Sequence, residues 1–475
     1  MAGLAGIISN DPKTRGAWLH AALHLLRHAS STTTAQWQAD ALGVVYTAPQ
    51  PTDQLDTAQA RPVSLFVAGT VHNVAEVASR FGASQHAGLD RAAALLYAYR
   101  AHGLAPFAQL NGDFTIGLWD AGSKRLQLVT DRWSLRKVYY ARVPEGLAFA
   151  SEVKALLAHP GVNRQIDPIA IAQALSVGYP QDDRTLYTAI RLIPGGHTLT
   201  ASLPPVPLTV EPYWQPRFAA TARGTLEEQA DELGRRMQTA VRRGIGPARR
   251  VAVPVSGGWD SRTVLGFARR AHPDARLTAY STGHAHSYDV TLGRQLARRA
   301  GVPHRFVPLC EDFLARHAEA FVWLTDGLLG AYHGWGMDLR AAIGLDAEVL
   351  LTGFFGDALL GFWRRLNAPM TLDQMEAMSL AEHRLVFQER ELAGLLKPGV
   401  YRRAQDATAA TLSATLRQAQ AEDARDRAMV VNLLQRQRRC LSYPLTMFCS
   451  HIRVSASFTD NDLVDYALTL PPAAR

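Results

Sequence analysis

The sequence predicts a two-domain chain: an α+β layer domain, then an α/β domain on a parallel sheet with a helical C-terminal part. Three observations carry this. The first 160 residues hold many short apolar or alternating runs. From residue 225 strands and helices alternate. A turn with paired glycines, Ser256-Gly-Gly-Trp-Asp-Ser-Arg262, joins a strand directly to a helix.

The chain has 475 residues, enough for two or three domains. Hydrophobic residues make up 47% and charged residues 19%, a globular balance that excludes a disordered chain. Apolar runs such as 63–68 and 251–255 fall far short of the roughly 20 residues that span a bilayer. The N-terminal stretch has neither a basic start nor a long apolar segment, so no secretory signal is read. Three cysteines, Cys310, Cys440 and Cys449, exclude a disulfide framework, and a cytoplasmic, reducing location is expected. The net charge of +8 is carried almost wholly by Arg, since Lys occurs only at 13, 124, 137, 154 and 397. The basic residues are spread, with short groups at 235–250, 294–299 and 436–439. They read as solvated helix faces and argue against a nucleic-acid surface.

In the first part Leu4–Ile8, Leu42–Thr47, Val63–Gly69, Phe114–Trp119, Leu126–Asp131, Val138–Ala141 and Leu147–Ala150 read as strands. Asp120-Ala-Gly-Ser-Lys124 joins two of them as a hairpin. Helical patterns cover about 17–28 and 90–102. A first domain over 1–165, a connecting segment over 166–222 rich in Pro and Gly, and a second domain over 223–475 are expected. In the second domain helices fit 226–243, 261–271 and 288–300, the last stopped by Gly301 and Pro303. Val251–Val255, Leu277–Ser281, His304–Leu309 and Glu348–Thr352 read as strands, and from about 372 the pattern is mainly helical. Such alternation implies a parallel sheet, which binds ligands at its strand carboxyl ends.

The turn at 256–262 carries the sharpest chemistry. Backbone N–H groups at a helix N-terminus cradle phosphate, and Gly257 and Gly258 let the backbone come close. The hydroxyls of Ser256 and Ser261 add donors. Asp260 would repel a phosphate, so it reads as a Mg²⁺ ligand. A capped glycine turn is the bland alternative. Thr352-Gly-Phe-Phe-Gly-Asp357 follows a second strand, and Asp357 could reach the same crevice as Asp260. Pro254 is out of place, because it removes a ladder donor from a strand that should be central.

These residues resemble a known family. SGGWDS is similar to the pyrophosphate loop SGGxDS of ATP pyrophosphatases, and TGFFGDALLG to the asparagine-synthetase stretch SGEGADELFGG. Leu110-Asn-Gly-Asp-Phe-Thr-Ile-Gly-Leu-Trp-Asp120, Asp131-Arg132 with Tyr139-Tyr140, and Phe149-Ala-Ser-Glu-Val-Lys-Ala-Leu156 resemble the class II amidotransferase part of the same enzymes. So do Thr185-Leu-Tyr187, Leu192-Ile-Pro-Gly195 and Tyr213-Trp214 in the connection. Phe458-Thr-Asp-Asn-Asp-Leu-Val464 and Leu468-Thr-Leu-Pro-Pro472 resemble the segment near the synthetase C-terminus. The resemblance is to the asparagine-synthetase-like superfamily, with asparagine synthetase, β-lactam synthetase and lasso-peptide cyclases as relatives. It implies a glutaminase-type (Ntn-like) sandwich, then a domain that adenylates a carboxylate with ATP and lets an amine attack. It implies ATP contacts at Val255, Ser256, Gly257, Gly258, Asp260, Ser261, Thr282, Thr352 and Gly353, with Asp260 and Asp357 holding Mg²⁺.

The departures are as informative. Ala2 stands where the family has its first cysteine. The NGEIYN segment is Ala68-Gly-Thr-Val-His-Asn73, and the RGPD segment is Arg27-His-Ala-Ser30. Phe354 and Ala358 replace two carboxylates of the ATP domain. In relatives a helical segment with a lysine facing the reaction centre follows; Lys397 does not match it, and a partner chain or second copy over an apolar surface at 465–475 is expected. His284 and His286 read as exposed loop residues, Cys440 and Cys449 as core thiols, and Trp323, Trp335 and Trp363 as core. No Cys/His spacing reads as a zinc site.

The expectation is an ATP- and Mg²⁺-dependent ligase acting on a small or peptide carboxylate. It would use ammonia or a substrate amine, not glutamine hydrolysed in the same chain. Two rivals stand beside it. A non-catalytic binding or regulatory member fits the lost carboxylates. A tRNA-modifying pyrophosphate-loop enzyme would want a basic face that the charge pattern does not supply.

Overall fold

The structure is a computed structural model that describes residues 3–28, 32–49, 53–82, 90–203, 208–344, 346–361, 371, 373–375, 377–378 and 386–475. Ala2, Ser30 and Trp363 lie outside the described residues. Two compact units emerge: Met1–Ala170 with Asp182–Gln215, and Ile171–Gln181 with Pro216–Arg475. No helix among the described residues is long and apolar enough to cross a membrane.

The first unit holds β1 (Gly3–Ser9), β2 (Thr33–Ala39), β3 (Leu42–Ala48), β4 (Leu55–Ala60), β5 (Val63–Val71), β6 (Gly112–Asp120), β7 (Arg125–Thr130), β8 (Tyr139–Val143), β9 (Gly146–Ala150), β10 (Arg191–Leu192), β11 (His197–Ser202) and β12 (Thr209–Pro212). They form two six-stranded antiparallel sheets, ordered β10-β8-β9-β1-β3-β2 and β12-β11-β7-β6-β5-β4. Alternation sorts the side chains of β5. Phe66 and Ala68 enter the core between the sheets, where Phe66 stacks on Phe149, while Leu65 and Val67 face the helices Val74–Arg80 and Arg91–His102. Helix Pro12–Leu25 covers the other sheet. This is the α+β sandwich expected. The β6–β7 hairpin turns as read, with Asp120 Oδ1 accepting from the Gly122 amide at 2.9 Å. The segment 166–222, read as a connection, supplies β10, β11 and β12 to these sheets.

The second unit is built on β13 (Arg250–Pro254), β14 (Arg276–Gly283), β15 (His304–Pro308), β16 (Val349–Thr352) and β17 (Arg453–Ala456). All pair in parallel, in the order β15-β14-β13-β16-β17. The chain runs outward from β13 through β14 to β15, then returns to β16 on the other side. The switch point therefore lies between β13 and β16, the place where open parallel sheets form a ligand crevice. Pro254 fits here for a specific reason. The amide of Val255 donates to Tyr280 in β14 at 2.7 Å, so the donor missing at Pro254 would have pointed toward β16. Pairing with β16 ends at Ala252–Leu350, so the strands have already parted and no ladder bond is lost.

Three expectations about this unit need correction. Trp323 and Trp335 are half exposed, not core. Arg438 and Arg439 are buried rather than solvated: they sit on a π-helical stretch, Asn432–Leu441, and Arg439 donates twice to the Pro180 carbonyl, at 3.0 and 3.2 Å. At the chain end Leu468 and Leu470 are buried, and Arg475 pairs with Asp426 at 2.6 Å. The apolar surface expected there is not found among the described residues. Cys440 is a core thiol as read, and burial pushes it up to about 12, whereas Cys449, read the same way, is only half-buried.

Candidate active site

The two motifs meet at the switch point. Helix Trp259–Ala271 starts directly after the 256–258 turn, and Gly258, its capping residue, offers no side chain to the first amides. The opposite loop presses against this end. A Cβ added at Gly353 would lie 2.9 Å from the Ser261 amide nitrogen, and one at Gly356 would lie 2.5 Å from Asp260 Cγ. Both positions thus need glycine for the loops to touch. Phe355, between them, has φ +85°, a conformation that side-chain-bearing residues rarely adopt. The similar stretch SGEGADE has glycine at that place. The turn is kept here with Phe in it, which stores backbone strain of order 1–3 kcal/mol.

Asp260 and Asp357 come together through this contact. The Asp357 amide donates to Asp260 Oδ2 at 2.9 Å, while Asp357 Oδ1 accepts from Ala358 at 2.7 Å and the side chain faces solvent. Burial pushes the Asp260 carboxyl up to about 6; the Asp357 amide opposes that rise, and the nearby Asp357 charge adds to it. Neither acid has an ion pair among the described residues, and no group of three or more His, Cys, Asp or Glu could hold a metal there. Two carboxylates alone suit a divalent ion whose shell is completed by phosphate oxygens and water.

The loop donors are engaged internally. The Ser256 amide donates to Ser261 Oγ at 3.1 Å, the Gly258 amide to Ser256 Oγ at 3.1 Å, and the Gly257 amide to Asp289 Oδ1 at 2.8 Å. Asp289, absent from the sequence reading, places a carboxylate oxygen on the very donor a phosphate oxygen would take. Its signal was its position in the first turn of the helix Tyr288–Ala300, after the strand next to the loop. Val255 is buried, and its carbonyl accepts from Ser281 Oγ at 2.8 Å. Thr282, next to the last residue of β14, has a buried Oγ1 with no hydrogen-bond partner among the described residues. Thr352 Oγ1 accepts from the Phe354 amide at 3.1 Å. Arg262 donates to the Gly257 carbonyl and lies over the exposed Trp259 ring, 4.8 Å from its centre. His284 and His286 are exposed, as read. Phe354 is half-buried and Ala358 buried, so neither supplies a carboxylate.

The amidotransferase-like positions of the first unit differ. Ala68 is buried on β5, opposite Thr115, and Thr70 lies opposite Asp113. Asn73 bonds the backbone around Gln109 and Asn111 at 3.0 and 2.8 Å. Near the start of β1, where Leu4 donates to Ser151 Oγ at 3.0 Å, the next residue Glu152 is fully paired: with His28 at 2.7 Å and with Lys154. Burial raises the Glu152 carboxyl, but Lys154 and His28 outweigh it and leave it at about 2. Arg136 is buried between Asp53 and Asp113, at 3.6 and 3.7 Å.

Two sequence-family profiles match: the glutamine amidotransferase domain over residues 1–214 and asparagine synthase over residues 232–475. An amidase, chyE, of Penicillium rubens is 25% identical over 343 residues, covering 64% of this chain and 49% of its own. Asparagine synthetase [glutamine-hydrolyzing] 2 of Bacillus subtilis is 24% identical over 258 residues, covering 52% and 34%. Asparagine synthetase [glutamine-hydrolyzing] 1 of the same organism is 22% identical over 295 residues, covering 59% and 44%. Among solved structures, glutamine phosphoribosylpyrophosphate amidotransferase from B. subtilis aligns with TM-score 0.32 and 11% identity, over 64% of this chain and 65% of that one. The fold is an amidotransferase-type sandwich followed along the chain by a parallel-sheet α/β domain of the asparagine synthase type. The chain belongs to the asparagine synthase family. It spans less than half the length of the curated relatives named here.

Proposed function

We propose that this chain joins a carboxylate to an amine or to free ammonia at the expense of ATP, through an acyl-adenylate, releasing AMP and pyrophosphate. Ammonia from in-chain glutamine hydrolysis plays no part. The observation that carries the reading is the meeting of Asp260 and Asp357 beside the 256–261 loop at the sheet's switch point. Family membership supports ATP use, and the residues present fit the nucleotide and its metal. Among the described residues the two acids have no ion pair, the helix end has no side-chain cap and the Thr282 hydroxyl has no hydrogen-bond partner, and ATP·Mg²⁺ would supply all three. Bound Mg²⁺ would neutralise charge on the leaving pyrophosphate.

The chain's own residues do the rest. Asp260 and Asp357 hold the ion; Ser256, Gly257, Gly258 and Ser261 direct donors to the phosphates; Val255, Thr282, Thr352 and Gly353 line the nucleotide. Donors fixed before reaction stabilise charge where it develops, and alignment of the acid with the α-phosphorus supplies much of the remainder. Phe354 and Ala358, standing where relatives carry acids, favour a second reading: a member that binds ATP without turnover.

The test is ATP–pyrophosphate exchange across a panel of organic acids and peptides, with calorimetric titration of ATP·Mg²⁺ beside it. Acid-dependent exchange is expected. Binding without exchange for any acid supports the second reading, and absence of ATP binding defeats both.

A further inference from the structure

A cavity of about 590 Å³ opens beside Asp260 and Asp357 within the second unit. Helix Leu226–Ile245 contributes Leu233 and Met237, the phosphate-loop helix Phe267, and later segments Leu360, Phe458 and Leu463. Trp259 and Thr263 complete the wall next to the acids. The volume is that of a small-molecule pocket. Its composition is one-sided. Among the described residues, Asp260 and Asp357 are its only ionisable lining residues, and no described Lys, Arg or His lines it.

Resting on the ligase reading, we propose that this cavity binds an organic acid by a large apolar tail, with the acid's carboxyl group turned toward the metal that Asp260 and Asp357 would hold. Two features select this occupant. The wall rewards removal of apolar surface from water. Its described residues offer no cation to a second carboxylate, and its own two acids repel one, so among them a dicarboxylic amino acid such as aspartate finds no partner. The cavity also shares its acidic edge with the phosphate site. A tail seated in it sets the carboxyl group next to the bound metal and nucleotide, the placement that an attack on the α-phosphorus needs.

Gly234 gives the test. It lies on the cavity wall in mid-helix, and a Cβ built there meets only the Phe267 ring, at 3.7 Å, an ordinary contact. Larger side chains at 234 therefore enter the cavity without moving backbone, and they favour the helix. Wild type, Gly234→Ala and Gly234→Leu are titrated with dansyl-undecanoic acid by fluorescence and with ATP·Mg²⁺ by calorimetry, with a thermal melt of each. The expected result is saturable probe binding by wild type, weaker in Gly234→Ala and at least tenfold weaker in Gly234→Leu. ATP·Mg²⁺ affinity changes less than twofold, and neither variant melts earlier. No probe binding by wild type, or equal binding by all three, overturns the proposal. The exchange assay separates it from the ligase reading. Exchange with aspartate but no apolar acid, unaffected by Gly234→Leu, ends the tail pocket and leaves the ligase. Probe binding without exchange for any acid ends the ligase and leaves the pocket.

Discussion

At the start of β1 and at the carboxyl ends of β13 and β16, charged side chains have opposite histories. In the first place the acids lie beside cations: Glu152 with His28 and Lys154, and Asp113 with Arg136. Glu152 accordingly holds its proton weakly. In the second place Asp260 leans on Asp357 with no ion pair to either among the described residues, and it holds its proton tightly. Paired buried charges finish a structure, whereas unpaired acids in a crevice leave room for a cation to come. The comparison separates a closed centre, where the named acids are ion-paired, from an open one, where two acids meet with no ion pair among the described residues.

The largest effect should appear when the closed centre is asked to work. Neither the wild type nor Ala2→Cys with Met1 removed should release glutamate from glutamine, the repaired chain staying at least about a hundredfold below a working glutaminase. Ala68 and Thr70 supply neither the oxyanion donor nor the amine partner, and such sets act as a unit. Glutamate release by the single variant would show that the centre is only missing its nucleophile.

The open centre should fail at its acids. Asp260→Asn or Asp357→Asn should slow exchange at least tenfold, about 1.4 kcal/mol of transition-state stabilisation. Asp260 also sets a pH dependence. Its folded value is raised from 3.8 to about 6, so the folded protein binds that proton more tightly than the unfolded chain. Stability from this group is therefore greatest below pH 4 and is lost as pH rises toward 6. Asp260→Asn, which removes the charge, should raise the melting temperature of the nucleotide-free protein at pH 7. ATP·Mg²⁺ affinity of wild type should fall as pH drops below 6, because proton and metal compete. A lower melting point in Asp260→Asn, together with flat pH dependence, would place Asp260 in the same class as Glu152.

The smallest effect concerns Asp289. Its carboxylate occupies the Gly257 amide and repels phosphate, so Asp289→Asn should tighten pyrophosphate binding about threefold to tenfold by calorimetry. Weaker binding would mean that Asp289 shapes the loop rather than competes for it.

The layers of both units were legible because buried strands and capped helices announce themselves. Val251–Val255 reads as a strand since both faces are covered, and helix Tyr288–Ala300 ends at Gly301 with φ +66°, as its sequence foretells. Edge strands were not legible. Thr33–Ala39 and Leu55–Ala60 lie at sheet edges with half-exposed, mostly polar residues, and β12 is another edge. The helix Pro12–Leu25 begins five residues before the apolar pattern does, although Asp11 and Pro12 form an ordinary helix start. The site's two acids were readable from strand–turn–helix context. The cavity was not, because its wall comes from four segments spread between residues 230 and 463, and no local spacing records that convergence. Arg438 and Arg439 misled the reading, since charge type says nothing of a carbonyl waiting at Pro180.

The hydrogen bond between Asp357 and Asp260 joins residues 97 positions apart, and it exists only once β16 has docked on β13. During synthesis β13, β14 and β15 emerge together and can pair while the rest of the chain is still being made. A nascent chain ending before residue 349 would thus carry the phosphate loop and Asp260 but not the second acid. Parallel pairing over such separations is slow, because a long loop must close before any contact rewards it. The meeting of the two acids is therefore among the last parts of the sheet to exist, and if they hold a divalent ion as proposed, its capture would time-stamp the completion of this domain on the ribosome.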